Sequence, residues 1–239
     1  MSRRPSRGGV LYGLLATVVS AVVALTARVS VERQRGRGRV ARRLPDGPII
    51  VVANHTSYAD GVLLALACRR LGRSLRLLAT AGVFKVPVLG RLLRRLGFIP
   101  VNRGSASATH ALDAAAEALE RGEAIGLFPE GRITRDPDKW PERAKTGAVR
   151  LAVRTGAPIV PVAMSGAHRL VGRKRILLGL LLNVVRRPEV ISKVGEPIDV
   201  RALVGGTSTA TPAQVREATD VVMRHVVDML AALRDEHPT

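Results

Sequence analysis

The sequence predicts an α/β fold: a largely parallel mixed sheet covered by helices, with a membrane-associated helix at the amino terminus. Three observations carry the prediction. From Pro48 onward, short apolar runs rich in β-branched residues alternate with segments of helical spacing. Strands separated by helices imply crossover connections and hence a mainly parallel sheet. No internal repeat is visible to suggest a solenoid or propeller.

In chain order, PIIVVA (48–53) fits a buried strand, and 59–71 has helical spacing closed by Gly72 as a C-cap. LRLLA (75–79) reads as a strand, 85–97 as a helical region and FIPV (98–101) as a short strand. Residues 105–121 form a helix ended by Gly122, AIGLF (124–128) a strand, and 142–155 a helix ended by Gly156. PIVPVA (158–163) and VISKVG (190–195) are further strands, and Pro212 opens an amphipathic terminal helix over 212–234. ILLGLLLNVV (176–185), flanked by Arg and Lys, is too short to span a membrane as a helix. It reads equally as a buried strand or as an apolar ledge dipped into lipid.

The 239 residues suit one domain with an accessory segment, divided as a basic anchor and arm (1–43) and an α/β domain (44–239). Hydrophobic residues at 46% exclude a disordered chain, and the single Cys68 excludes an internal disulfide. The net charge of +19 calls for an anionic partner: phosphate esters, acidic lipid or nucleic acid. Residues 1–43 contribute ten Arg against one Glu.

Residues 10–27 carry no charge and have Arg on both flanks. At ~1.5 Å per residue this run is ~27 Å long as a helix, just short of a ~30 Å hydrocarbon core. It is expected to span with snorkelling flanks or to lie in one leaflet. A signal peptide fits less well, because no polar cleavage region precedes Arg28. The Arg28–Arg43 block places the expected anchor on the cytoplasmic face of the plasma (inner) membrane.

Ligands of open α/β sheets bind beyond the carboxyl ends of the strands. There the sequence places Asn54 to Asp60, Asn102 and Arg103, and Pro129 to Arg132. His55 and Asp60, five apart, would diverge by ~140° on a regular helix. They meet only if His55 lies in the loop and the helix begins between them. Ser57 as N-cap would put Asp60 in the capping-box position. Taken alone, Asp60 is a capping carboxylate, His55 a loop imidazole, Arg103 a solvated cation and Glu130 a turn residue. Taken together, Asp60 would hold one imidazole tautomer and leave the other nitrogen to remove a proton from a hydroxyl.

Four motifs occur in order: Asn54-His55-x-Ser57-x-x-Asp60, Gly97 to Arg103, Phe128 to Gly131 (FPEG), and Val160-Pro161-Val162. In this order the chain resembles the bacterial 1-acyl-sn-glycerol-3-phosphate acyltransferases (the PlsC type), over roughly residues 48–200. The stretch 133–147 is similar to the variant of actinobacterial members. The resemblance implies transfer of a fatty acyl group from acyl-CoA or acyl-ACP to the free hydroxyl of a lysophospholipid, giving phosphatidic acid. It implies His55 as general base, Asp60 as its orienting partner and Arg103 as the holder of the acceptor phosphate. Glu130 and Gly131 would position the acceptor, with Arg132 and Lys145 as further phosphate candidates. No metal or cofactor is expected, because a thioester is already activated; acyl carrier protein and an anionic membrane surface are candidate partners. The chain departs from the family where Arg132 sits one place early and Asn102 replaces the usual acidic residue. That leaves lysophosphatidylethanolamine as an alternative acceptor.

Other chemistries fit poorly. Cys68 lies inside an apolar helical run, no G-x-S-x-G elbow occurs, and His110, His168, His225 and His237 lack metal-ligand spacing. An RNA-binding role for the Arg-rich arm 33–43 would suit the charge, but aromatics at 3% offer almost no stacking platform.

Overall fold

The computed structural model describes residues 10–34, 43–102, 105–170 and 176–237. Within them one seven-stranded sheet runs in the order β1-β7-β6-β2-β5-β3-β4. The strands are β1 (Arg28–Arg33), β2 (Ile49–Ala53), β3 (Leu75–Thr80), β4 (Ile99–Val101), β5 (Ala124–Leu127), β6 (Ile159–Ser165) and β7 (Glu189–Val194). Strands β6, β2, β5, β3 and β4 run parallel. β7 turns antiparallel to β6, and β1 follows β7 in parallel. The expected mixed, largely parallel sheet is therefore present.

Helices cover both faces: α1 (Val10–Thr26), α2 (Asp60–Arg70), α3 (Pro87–Arg95), α4 (Ser105–Glu120), α5 (Gly147–Thr155), α6 (Ala167–Leu170), α7 (Ile176–Arg186), α8 (Val200–Leu203) and α9 (Pro212–Glu236). Strand β2 shows why its run is apolar at every position. Ile50 and Val52 join the core beneath α4, α5 and α9, whereas Ile49, Val51 and Ala53 join the core beneath α1 and α2. Two buried faces need two apolar sets, so the period-2 alternation of a half-exposed strand disappears.

Several expectations need correction. The amino-terminal apolar run is a helix, but at 17 residues it reaches only about 25 Å at ~1.5 Å per residue. No helix among the described residues is long and apolar enough to cross a membrane. Instead α1 folds onto the domain: Tyr12, Val23 and Thr26 are buried, and the Tyr12 hydroxyl lies 3.3 Å from the backbone N of Leu75. Leu14, Val18, Val22 and Leu25 face outward. Residues 28–33, read as the start of a juxtamembrane arm, are an edge strand, because Val29 and Val31 alternate onto the core. Most of the remaining arm, 35–42, lies outside the described residues.

The 176–185 run is helix α7, not a strand. It packs against α1, and Asn183 donates to the carbonyls of Arg169 and Leu170. Leu181, Leu182, Val184 and Val185 stay exposed. Helix α5 begins at Gly147, five residues later than expected. The intervening backbone is committed elsewhere: Glu142 N donates to the Glu130 carboxylate and Lys145 N to the Pro129 carbonyl.

One turn shows how tightly the rim is built. Gly166, between β6 and α6, has φ +82°, and a Cβ there would overlap the Glu189 carbonyl oxygen. Gly166→Ala is expected to lower unfolding free energy by about 2–3 kcal/mol. Equilibrium urea denaturation measures this, and an unchanged midpoint would contradict the crowding.

Candidate active site

Strands β2, β5 and β6 are neighbours and parallel, so their carboxyl ends share one rim. Asn54, with no exposed surface, locks that rim. Its Nδ2 donates to the Met164 carbonyl at 3.0 Å, and its Oδ1 accepts from Met164 N at 2.8 Å. The next residue, His55, leaves the strand and stands at the rim with its side chain 20% exposed.

Helix α2 starts at Asp60 with Ala59 as N-cap, so His55 lies in the loop, as the pairing requires. Asp60 is fully buried. Its Oδ2 accepts from the backbone N–H of Thr56 and Ser57 and lies 2.9 Å from His55 Nδ1. Holding the loop and orienting the imidazole thus fall to one oxygen. Ser57 is not the N-cap; its hydroxyl accepts from Ala59 N at 3.1 Å. With Nδ1–H donated to the carboxylate, the neutral ring carries its basic lone pair on Nε2.

The FPEG turn packs against His55. Phe128 stacks on the imidazole, with ring centroids 4.2 Å apart and planes at 17°. Glu130, 5% exposed, accepts from His55 N at 2.8 Å through Oε1 and from Glu142 N at 3.0 Å through Oε2. Gly131 has φ +70°, and the Lys145 stem lies across it, close enough that a Cβ would meet Nζ at 3.0 Å. Arg132 turns outward and grips Glu142 with two hydrogen bonds, at 2.9 and 3.0 Å.

Of the residues singled out from sequence, His55, Asp60, Glu130, Gly131 and Lys145 come together. Arg132 is engaged by Glu142, and Arg103 lies outside the described residues, two positions past β4. The sequence motifs contain Phe128 and Asn54, but their spacing assigns neither ring stacking to the one nor strand locking to the other. Thr134, whose N–H donates to the His55 carbonyl at 2.8 Å, carries no local signal. His168 on α6 has its imidazole held below the usual range by burial and by Arg169 and Lys139. Among the described residues, the one trio able to meet a metal ion is Glu32, Glu236 and His237. Glu236 there is spent on Lys193 at 2.8 Å, and none of the three belongs to the His55 site.

Burial pushes the Glu130 carboxyl up from 4.5 to about 6, against the lowering effect of the Glu142 and His55 N–H donors. The folded chain therefore holds this proton where the unfolded chain has lost it. The associated stability is complete below about pH 4.5 and disappears as pH rises through 6, an effect of about 1–2 kcal/mol. Urea titrations at pH 4.5 and 7 should show wild type losing that much relative to Glu130→Gln. Equal losses in both would overturn the assignment.

Known proteins resemble this chain in sequence and in fold. A family model described as Acyltransferase matches residues 33–165. A chloroplastic 1-acyl-sn-glycerol-3-phosphate acyltransferase of Brassica napus is 31% identical over 126 residues, covering 52% of this chain and 35% of that protein. Its counterpart from Arabidopsis thaliana is 29% identical over 170 residues, covering 65% of this chain and 46% of that protein. The chain thus spans less than half the length of these curated relatives. The crystal structure of the 1-acyl-sn-glycerophosphate acyltransferase PlsC from Thermotoga maritima superposes with a TM-score of 0.63 at 26% identity, covering 92% of this chain and 79% of that one. With the family model matching more than half of its residues and the His55–Asp60 pair standing at the sheet rim, the chain belongs to the acyltransferase family.

Proposed function

We propose that the protein transfers a fatty acyl group from acyl-CoA or acyl carrier protein to the free hydroxyl of 1-acyl-sn-glycerol-3-phosphate, forming phosphatidic acid. The reading rests on one observation: an imidazole at a sheet rim, held at 2.9 Å by a buried carboxylate, with its second nitrogen left for proton transfer. His55 Nε2 takes the proton of the acceptor hydroxyl as its oxygen attacks the thioester carbonyl. The new acyl–oxygen bond forms, the acyl–sulfur bond breaks, and the departing thiolate recovers the proton from the imidazolium. Asp60 keeps Nδ1 protonated and stabilises the transient positive charge. The reaction needs neither a metal nor a covalent enzyme intermediate, since the thioester supplies the activation.

Arg103 is assigned to the acceptor phosphate, whose oxygens match a guanidinium fork. Lys145, lying over Gly131, is the second candidate cation. Arg132 is a weaker one, because both prongs already hold Glu142. The outward apolar residues of α1 and α7, with Arg28, Arg186 and Arg187 exposed beside them, suit the interface of an anionic bilayer better than a span across it. We place that surface on the cytoplasmic face of the inner membrane.

His55→Ala is expected to reduce free-thiol release from acyl-CoA in the presence of lysophosphatidate by about 10²–10⁴-fold while the chain remains folded, at a cost of about 1–3 kcal/mol for the ring N–H that Asp60 loses. Turnover resembling wild type would refute the base assignment. Lysophosphatidylethanolamine run beside it tests the other acceptor. Leu181→Glu combined with Val185→Glu is expected to weaken co-sedimentation with phosphatidylglycerol vesicles about tenfold or more without loss of stability, since both side chains are exposed. Undiminished sedimentation would exclude α7 from the lipid contact.

A further inference from the structure

We propose that Glu130 is a positioning residue that acts through the backbone N–H groups of His55 and Glu142, and not as a ligand of the acceptor. The inference rests on the reading of His55 as the base. Both Glu130 oxygens are occupied, at 2.8 and 3.0 Å, and the side chain is nearly inaccessible. To touch a substrate it would have to abandon two buried N–H donors, each of which would then lack its acceptor. A carboxylate is also a poor companion for a phosphate, because like charges at close range repel.

What Glu130 does hold is the catalytic peptide. The His55 N–H donates to Glu130, and the His55 carbonyl accepts from Thr134 N at 2.8 Å. The imidazole face rests on Phe128. Three points of one loop therefore fix this single residue, leaving only Nδ1 to be fixed from elsewhere, by Asp60.

The same loop is braced on its far side. Thr134 Oγ1 donates to the Trp140 carbonyl at 2.8 Å, and the Arg234 guanidinium of α9 sits 4.1 Å over the Trp140 ring. Arg234 also donates to the Asp138 and Lys139 carbonyls. At the other end Lys145 N donates to the Pro129 carbonyl. Glu130 joins this α9-supported frame to the loop after β2 that carries His55. The two N–H donors approach different ends of the carboxylate, one at Oε1 and one at Oε2, so each end must present an acceptor. Gln offers one carbonyl oxygen, and its amide nitrogen would meet one of the two N–H groups head on.

The test uses the full-length chain with Glu130→Gln, and Glu130→Asp as second variant should the first fail to fold. Amide hydrogen exchange at His55 and Glu142 reads the clamp directly, whichever acceptor the enzyme uses. It is expected to speed up about tenfold or more at one or both amides in each variant. With lysophosphatidate and acyl-CoA, kcat should fall about 10–100-fold while acceptor KM stays within about threefold. In a His55→Ala background the substitution should cost no further rate. Unchanged exchange, or a raised acceptor KM with kcat preserved, would overturn the proposal. Wild-type turnover by His55→Ala would instead remove the reading beneath it, and the exchange result would still decide whether the clamp exists.

Discussion

A carboxylate with no exposed surface sits beneath the candidate site, and three N–H groups point at one of its oxygens: those of Thr56, Ser57 and the His55 ring. Removing an ionised Asp from water is costly unless charge-assisted hydrogen bonds replace its hydration. Here the loop before α2 supplies them, all to Oδ2. Asp60 therefore dictates where α2 may begin, how the 54–59 loop must curl and which imidazole nitrogen carries hydrogen. The rim, the helix start and the tautomer follow from one desolvated group.

Parallel pairing extends that constraint across the sheet. Because β2 lies between β5 and β6, the turns after all three strands meet at one edge. Asn54 fastens one neighbour through Met164, and Glu130 fastens the other through His55 N. His55 is thus held from both sides of its strand by polar groups that are themselves buried. Such groups rigidify a site only when every donor and acceptor is matched, which makes their geometry exacting.

Much of this was legible in the residues. Strand β2 declares itself by an unbroken β-branched run, and α9 by Pro212 followed by an amphipathic pattern; its Thr211–Gln214 capping box agrees. The expected meeting of His55 and Asp60 required only that a helix start between them, and it does. What resisted reading depended on distant partners. Helical periodicity over 142–155 looks continuous, but Glu142 and Lys145 give their N–H groups to Glu130 and Pro129, which local spacing does not reveal. The Leu-rich 176–185 run fits a buried strand or a lipid-facing ledge equally until α1 provides a surface to pack on. The amino-terminal run reads as an anchor because uncharged composition alone does not show that Tyr12 and Val23 turn inward.

Strand β1 joins α1 to the rest of the chain by a ladder running from Arg28↔Glu189 to Arg33↔Val194. Trimming the amino terminus to obtain a better-behaved protein would therefore do more than delete a greasy segment. It would bare the flank of β7, a six-residue row of hydrogen-bonding groups bordered by Val190 and Ile191, which are now 0% and 3% exposed. An uncovered border of that kind invites another chain to add itself in register, so a shortened protein would be more adhesive than the intact one.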